Sequence, residues 1–361
     1  MSVYVCLSLS LFLFSLRELK DKQYGGFVCF AAYLVLVVIS GFRFEVGTDY
    51  VNYVRYFKYV DEIPTEPLYY HLSKFVHYVG GKYQLLCLIC SALVGFVMFF
   101  ATRRMTKCSF ICLTFYLFSF LYFESMNTVR QAIAMSFSLL AVSFIYNLQN
   151  DEQPHVGMLC SIHGKKNINY IWFCVCYAIA ILFHASAVIL LPCVFLCKSV
   201  SWKKYKFFVL VITFLLGTVA MPYIIKWLTP LIKYVGYAGY LKVMEMRGVN
   251  SGMYQIYLNM LAVFVMVMTK GRLSKNENFY LNMFVLSICI YNLFLSFYVV
   301  LRLYFYFLMY GCLIIPAVLR GFTKRSRIIA YFVIIMSLGV FMFVSLNNKA
   351  YLPYAMNFVL F

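Results

Sequence analysis

The chain has 361 residues, of which 64% are hydrophobic and 12% charged, and its mean hydropathy is +0.84. Soluble chains run about half apolar and about a quarter charged, so a soluble multidomain protein is excluded, and a disordered chain needs the opposite balance. The net charge of +19, from 31 Lys and Arg against 12 Asp and Glu, is accordingly sorted first by side of a membrane and only then weighed as affinity for nucleic acid.

In chain order, apolar runs approaching the ~20 residues that cross a bilayer predict helices over residues 3–16, 26–42, 83–100, 108–123, 130–147 and 168–183. They continue over 186–198, 206–223, 253–269, 278–298, 302–319 and 328–346. The opening MSVYVCLSLSLFLFSL has neither a basic leader nor a small-residue cleavage site and reads as the first span. The runs 168–183 and 186–198 are short and fit a hairpin that does not fully cross. No internal repeat or low-complexity linker is evident. The expected fold is all-α, a single polytopic membrane domain over residues 1–361 with about 11–12 helices. Segments 43–82 and 224–252 would cap it on the outer face. Most of the 13 cysteines lie inside apolar runs, among them Cys29, Cys87, Cys90, Cys174, Cys176, Cys289 and Cys312, where they act as small hydrophobes. Cys87 and Cys90 form a C-x-x-C, but no second pair or histidine follows at metal-site spacing.

Assigning alternate connections to opposite faces divides the basic residues unequally. The larger set includes Arg17, Lys20, Lys22, Arg103, Arg104, Lys107, Lys203, Lys204, Lys324, Arg325 and Arg327; the smaller includes Arg43, Arg55, Arg130, Lys226, Arg247 and Arg302. The positive-inside rule puts the larger set in the cytoplasm and both termini outside. The cytoplasmic connections are short and basic, with little room for a site. Chemistry is expected on the outer face.

The first outer segment supplies several candidates. Arg43 stands where a span meets the interface, and Gly47-Thr48-Asp49 marks a turn with Asp49 suited to capping a helix. Tyr50, Tyr53, Tyr56 and Tyr59 recur every three residues, as on a surface-lying helix. The stripe is either an ordinary aromatic belt or a platform for sugar rings or a lipid chain. Pro64-Thr65-Glu66-Pro67 would hold Glu66 on a stiff turn before another short helix.

Arg130, six residues after Glu124, opens a span. A cation at a helix N-terminus in the membrane opposes the dipole and is costly. An anionic ligand would relieve both costs; snorkelling or a pair with Glu124 is the plainer reading. His184 interrupts AIAILFHASAVILLP with no charge nearby. It either bonds to a neighbouring helix or exchanges protons at the apex of the hairpin. Arg302 lies among Phe297, Tyr298, Tyr304, Phe305 and Tyr306, where cation–π packing competes with anion binding. Arg247 could lid the same space or remain solvated. His71 and His77 read as interfacial, and His155 and His163 as cytoplasmic. Arg43, Arg130 and Arg302 come from three separate stretches, and guanidinium groups bind phosphate oxygens two at a time. With Asp49, Glu66 and His184 they suggest a pocket for a lipid-linked phosphate beside an acid or base.

The strings FRFEVGTDYVNYVRYF, TEPLYYHLSKF, NTVRQAIAMSFSLLA, FHASAVILLP, LRLYFYF and YLPY in series resemble the EpsG family of Wzy-like polymerases of O-antigen, capsule and exopolysaccharide repeat units. The resemblance covers most of the chain, and R-x-x-x-G-T-D-Y, N-x-x-R-Q and F-H-x-S carry it. It implies an inverting glycosyltransferase of GT-C-like architecture in the bacterial inner membrane. Such an enzyme passes a growing glycan from undecaprenyl diphosphate to the non-reducing sugar of a new lipid-linked unit on the outer face. Implied catalytic candidates are Asp49, Glu66 and His184, with His184 or Asp49 favoured as base. Arg43, Arg130 and Arg302 would hold the diphosphate, and Tyr50, Tyr53, Arg55, Gln131, Arg247 and Tyr304 would touch substrate. Gly47 and Thr48 complete the carried motif. No metal or other cofactor is called for, because arginine replaces a divalent ion. The implied partners are the lipid-linked oligosaccharide, membrane lipids and a chain-length regulator protein, with no nucleic acid. A flippase of lipid-linked oligosaccharide, an O-antigen ligase and a membrane O-acyltransferase are the competing readings. A flippase would show mid-membrane charge and repeats, neither of which the sequence contains.

Overall fold

The computed structural model describes residues 2–146, 166–199, 205–220, 223–224, 226–227, 230, 251–348 and 351–361. It is all-α apart from one pair of two-residue strands. In chain order the elements are α1 (Ser2–Glu18), α2 (Gly26–Gly41), β1 (Arg43–Phe44), α3 (Tyr50–Lys58), α4 (Pro67–Tyr78) and α5 (Tyr83–Met105). Then come α6 (Ser109–Phe118), α7 (Leu121–Asn127), α8 (Val129–Ile145), α9 (Lys166–Phe183), a 3₁₀ turn (Ala185–Ile189), α10 (Leu190–Ser199) and α11 (Lys206–Leu215). The remainder is α12 (Ser251–Met268), α13 (Lys275–Phe294), α14 (Tyr298–Leu301), α15 (Tyr304–Leu308), α16 (Gly311–Arg320), α17 (Lys324–Asn348) and β2 (Ala355–Met356).

Each predicted apolar run is largely helical in its described part, yet among the described residues far fewer than the expected 11–12 are single full-length spans. Among the described residues, helices α5 and α17 are long and apolar enough to cross a membrane, and the bent pair α6–α7 makes a third; seven apolar helices are shorter. The difference is one of breaks rather than of composition. Between α6 and α7 the path turns by 62°, because Phe120 takes a left-handed φ of 70°. That conformation costs a non-glycine residue about 1–2 kcal/mol. Phe120 is held in it by burial among Phe123 and Tyr351, whose ring centroids lie 5.1 and 5.4 Å away.

The chain forms two compact units, residues 1–188 with 322–361, and residues 189–321. In the first, α1 ends in a Schellman motif: Lys22 N–H donates to Arg17 O, Asp21 N–H to Glu18 O, and Asp21 supplies the left-handed residue at φ 61°. The Glu18 carboxylate accepts from the N–H groups of Phe110 and Ile111 at about 3.0 Å, so one helix end caps the start of another. Arg327, in the first turn of α17, donates to Leu19 O and Asp21. Arg104, at the end of α5, donates to Ser143 near the end of α8. The basic connections therefore gather at one end of this unit. At the other end Tyr4 of α1 packs on Phe123 and Tyr354, and Tyr83 of α5 on Tyr50. There β1 pairs antiparallel with β2, Arg43 opposite Met356 and Phe44 opposite Ala355. The hydroxyls of Tyr351 and Tyr354 donate to Phe123 O and Ile39 O, fastening the C-terminal segment to this end.

In the second unit a polar cluster joins three helices. Gln255 and Asn259 of α12 both donate to Asn292 Oδ1 of α13, and Asn292 Nδ2 donates to Asn259 Oδ1 and more weakly to Thr213 of α11. Such amide pairs hold helices together where hydrocarbon offers no hydrophobic drive. Continuing α11, the π turn Leu216–Ala220 lies so close to α13 that a Cβ on Gly217 would stand 1.7 Å from Asn292 O. Gly217→Ala is expected to destabilise the folded protein by about 3 kcal/mol or more, read as a fall in thermal unfolding temperature in detergent. Wild-type stability in that variant would contradict the contact.

Candidate functional site

The site end of the first unit is built from the 43–66 segment upward. Gly47 has φ 103°, a conformation that L side chains avoid, and it turns the chain from β1 into α3. The turn is held by Asn127, which opens the N-x-x-R-Q string. Asn127 Oδ1 accepts from both Thr48 Oγ1 and Asp49 N–H at 2.8 Å. Asp49 occupies the N-cap position of α3, but its side chain makes no capping bond, contrary to the expected role. Asn127→Ala leaves two donors unpaired at a cost of about 1–3 kcal/mol. It is expected to lower the unfolding temperature and to release Asp49; an unchanged unfolding temperature would remove Asn127 from this account.

Helices α3 and α4 form a hairpin in which the His77 ring stacks 4.0 Å from Phe57 and its Nε2 bonds to Phe57 O at 2.8 Å. At the start of α4, Glu66 is extended (φ −62°, ψ 147°) and Pro67 follows at the first helical position. The residue before a proline is driven into that region, so Pro67 fixes where the Glu66 carboxylate leaves the backbone. Arg130 stands in the first turn of α8. His184 closes α9, its N–H donating to Ala180 O before the 3₁₀ turn begins.

These three residues meet. Arg130 Nη1 donates to Glu66 Oε2, and His184 Nδ1 bonds to Glu66 Oε1 at 2.5 Å. A carboxylate only accepts, so Nδ1 carries the hydrogen and Nε2 is left as the basic nitrogen of the neutral ring. The Arg130 guanidinium lies 5.3–5.8 Å from the ring centroids of Tyr53, Tyr56 and Tyr69, a cage of three π faces. Exposure is partial, 21% for the Arg130 side chain, 18% for Glu66 and 30% for His184. A ligand can therefore reach a trio whose charges are only weakly screened. Burial pushes the Glu66 carboxyl up, but the His184 bond and the Arg130 charge outweigh it, and its pKa settles below the ordinary 4.5. A depressed carboxylate contributes stability that is present above its unfolded pKa and lost as pH falls through the folded value. Glu66 is ionised throughout the neutral range.

Arg43 is 2% exposed and donates to Ser40 O at 2.5 Å and Met126 O at 3.0 Å. Its guanidinium ties β1 to α2 and α7. Tyr50 packs edge-on against Tyr83 and Phe44, which makes it core. Tyr53 belongs to the arginine cage, Arg55 is exposed on α3, and Gln131 is buried. Arg302 is half-buried and Tyr304 buried in the second unit, Tyr304 against Tyr291 at 4.9 Å. Arg247 lies outside the described residues. Within the first unit, one arginine, Arg130, meets one carboxylate and one imidazole, and Arg43 meets backbone oxygens. Tyr56 stood in the tyrosine stripe and Tyr69 in TEPLYYHLSKF, so the cage was present as strings without a partner to encircle.

Compared with known proteins, the chain matches the model of the EpsG family over residues 26–153 and 156–356. No curated protein and no solved structure matches it.

Proposed function

The chain belongs to the EpsG family, associated with Wzy-like polymerases and exopolysaccharide biosynthesis, and on that premise we propose that it polymerises lipid-linked repeat units. In this reading a GT-C-like membrane enzyme transfers the growing glycan from undecaprenyl diphosphate to the non-reducing sugar of a new lipid-linked unit. One observation carries it: Glu66 bridges Arg130 and His184 at the end of the first unit opposite its basic connections. The positive-inside rule puts those connections in the cytoplasm, hence the trio on the outer face of the inner membrane.

The chemistry follows from the geometry. His184 Nε2 takes the proton of the acceptor hydroxyl as its oxygen bonds to the anomeric carbon. The Glu66 carboxylate fixes the imidazole tautomer and stabilises the imidazolium that forms. The anomeric C–O bond breaks with its electron pair going to the departing lipid diphosphate, where negative charge grows. Arg130 supplies fixed positive charge for those oxygens, and the imidazolium then returns its proton to water. The test is a purified-protein assay with a short lipid-linked repeat unit. A ladder of products that survives a chelator is expected. Transfer onto lipid A-core alone would make the protein a ligase, and transbilayer movement without product would make it a transporter.

A further inference from the structure

At the opposite end of the first unit, the last turn of α1 and the turn after it present Arg17, Lys20 and Lys22 around an open cleft of about 500 Å³ whose remaining walls are Leu13 and Leu16. The apolar wall continues along an outward face of α1, where Leu9, Leu13 and Phe14 are exposed, Leu13 by 62%. A membrane helix turns such a face to acyl chains. The Schellman turn brings Lys22 back over the helix end, since its N–H bonds to Arg17 O. Tyr24 folds onto the same helix, its hydroxyl donating to Phe14 O and its ring lying 4.7 Å beneath the Arg17 guanidinium. Both acids of this turn are engaged elsewhere, Glu18 on the Phe110 and Ile111 N–H groups and Asp21 on Arg327. Three cations therefore border one cleft without a carboxylate among them, directly beyond an exposed apolar stripe.

We propose that this cleft binds an anionic phospholipid, its phosphate between Arg17, Lys20 and Lys22 and its acyl chain along Leu13 and Leu9. The occupant is a lipid rather than a free phosphate because Leu13 and Leu16 wall the cleft and it opens onto the exposed face of α1. A surface cation near an anionic headgroup is worth about 1 kcal/mol, or about fivefold in affinity. Removing three should weaken binding about 100-fold.

The experiment is native mass spectrometry of the full-length protein in detergent, titrated with phosphatidylglycerol and with phosphatidylcholine. The wild type is expected to retain phosphatidylglycerol preferentially, less so at high ionic strength. R17Q/K20Q/K22Q should lose that preference, and the charge-preserving R17K/K20R/K22R should keep most of it. The proposal is overturned if the glutamine variant retains phosphatidylglycerol as the wild type does. It is equally overturned if Lys324→Gln with Arg325→Gln, which alters exposed cations outside the cleft, removes as much binding. Displacement of the lipid by inorganic diphosphate at comparable concentration would likewise mean that the cleft reads phosphate and not lipid. None of the three residues touches Glu66, Arg130 or His184, so the outcome stands apart from the polymerase reading.

Discussion

His184→Ala is expected to halt glycan growth at one repeat unit, reducing the rate of extension by about 10²–10⁴-fold, the usual worth of a positioned general base. The variant should still fold. His184 stands between α9 and a 3₁₀ turn, its side chain is 30% exposed, and its removal leaves Glu66 paired with Arg130. Glu66→Gln should be nearly as damaging for a different reason. The amide keeps the shape but cannot hold the imidazole in one tautomer or stabilise its cation, and Arg130 loses its counter-charge. The informative measurement is the product ladder made by each purified variant, alongside its thermal unfolding. A folded His184→Ala protein that builds long chains at the wild-type rate would leave Asp49 as the remaining base candidate and remove the dyad from the mechanism.

Arg130→Ala should lower the turnover rate by about 10²–10³-fold, the loss seen when one fixed electrostatic donor to a developing anion is removed. Arg130→Lys discriminates between charge and shape. An ammonium carries the same charge but lacks the plane that stacks in a tyrosine cage and the fork that meets phosphate. Only a minor part of the activity should return. Either substitution also alters the base. The Arg130 charge, after the His184 bond, is among the influences that hold Glu66 below its ordinary pKa against burial. With that charge gone the carboxyl pKa rises, so the acid limb of the pH–rate profile should move to higher pH in Arg130→Ala, whereas Arg130→Lys should shift it less. A full-strength lysine enzyme, or an alanine variant with an unmoved acid limb, would show that Arg130 serves the fold and not the reaction.

The same two substitutions show how far the sequence could be read. Arg43 and Arg130 look alike in the sequence, each a lone cation where an apolar run meets a polar segment. Their fates differ because Arg43 is met by the backbone oxygens of Ser40 and Met126, while Arg130 is met by a carboxylate 64 residues away. His184 and Glu66 are separated by 118 residues, and nothing local distinguishes His184 from a histidine bonded to a neighbouring helix. Asn127 opens the N-x-x-R-Q string, but its role is not legible there, because its acceptor oxygen becomes specific only when the Gly47 turn brings two donors to it.

The sequence by itself determined the apolar character of the chain, the placement of the apolar helices and, in the first unit, the gathering of basic connections at one end. Each of those follows from the transfer free energy of a residue or a run of residues, a property that adds along the chain. Tertiary structure decided the bend at Phe120, the burial of Arg43, the tyrosine cage and the meeting of Glu66, Arg130 and His184. Those are pairing energies between groups far apart in the chain. They fall off within a few ångströms, so they exist only once the helices are packed.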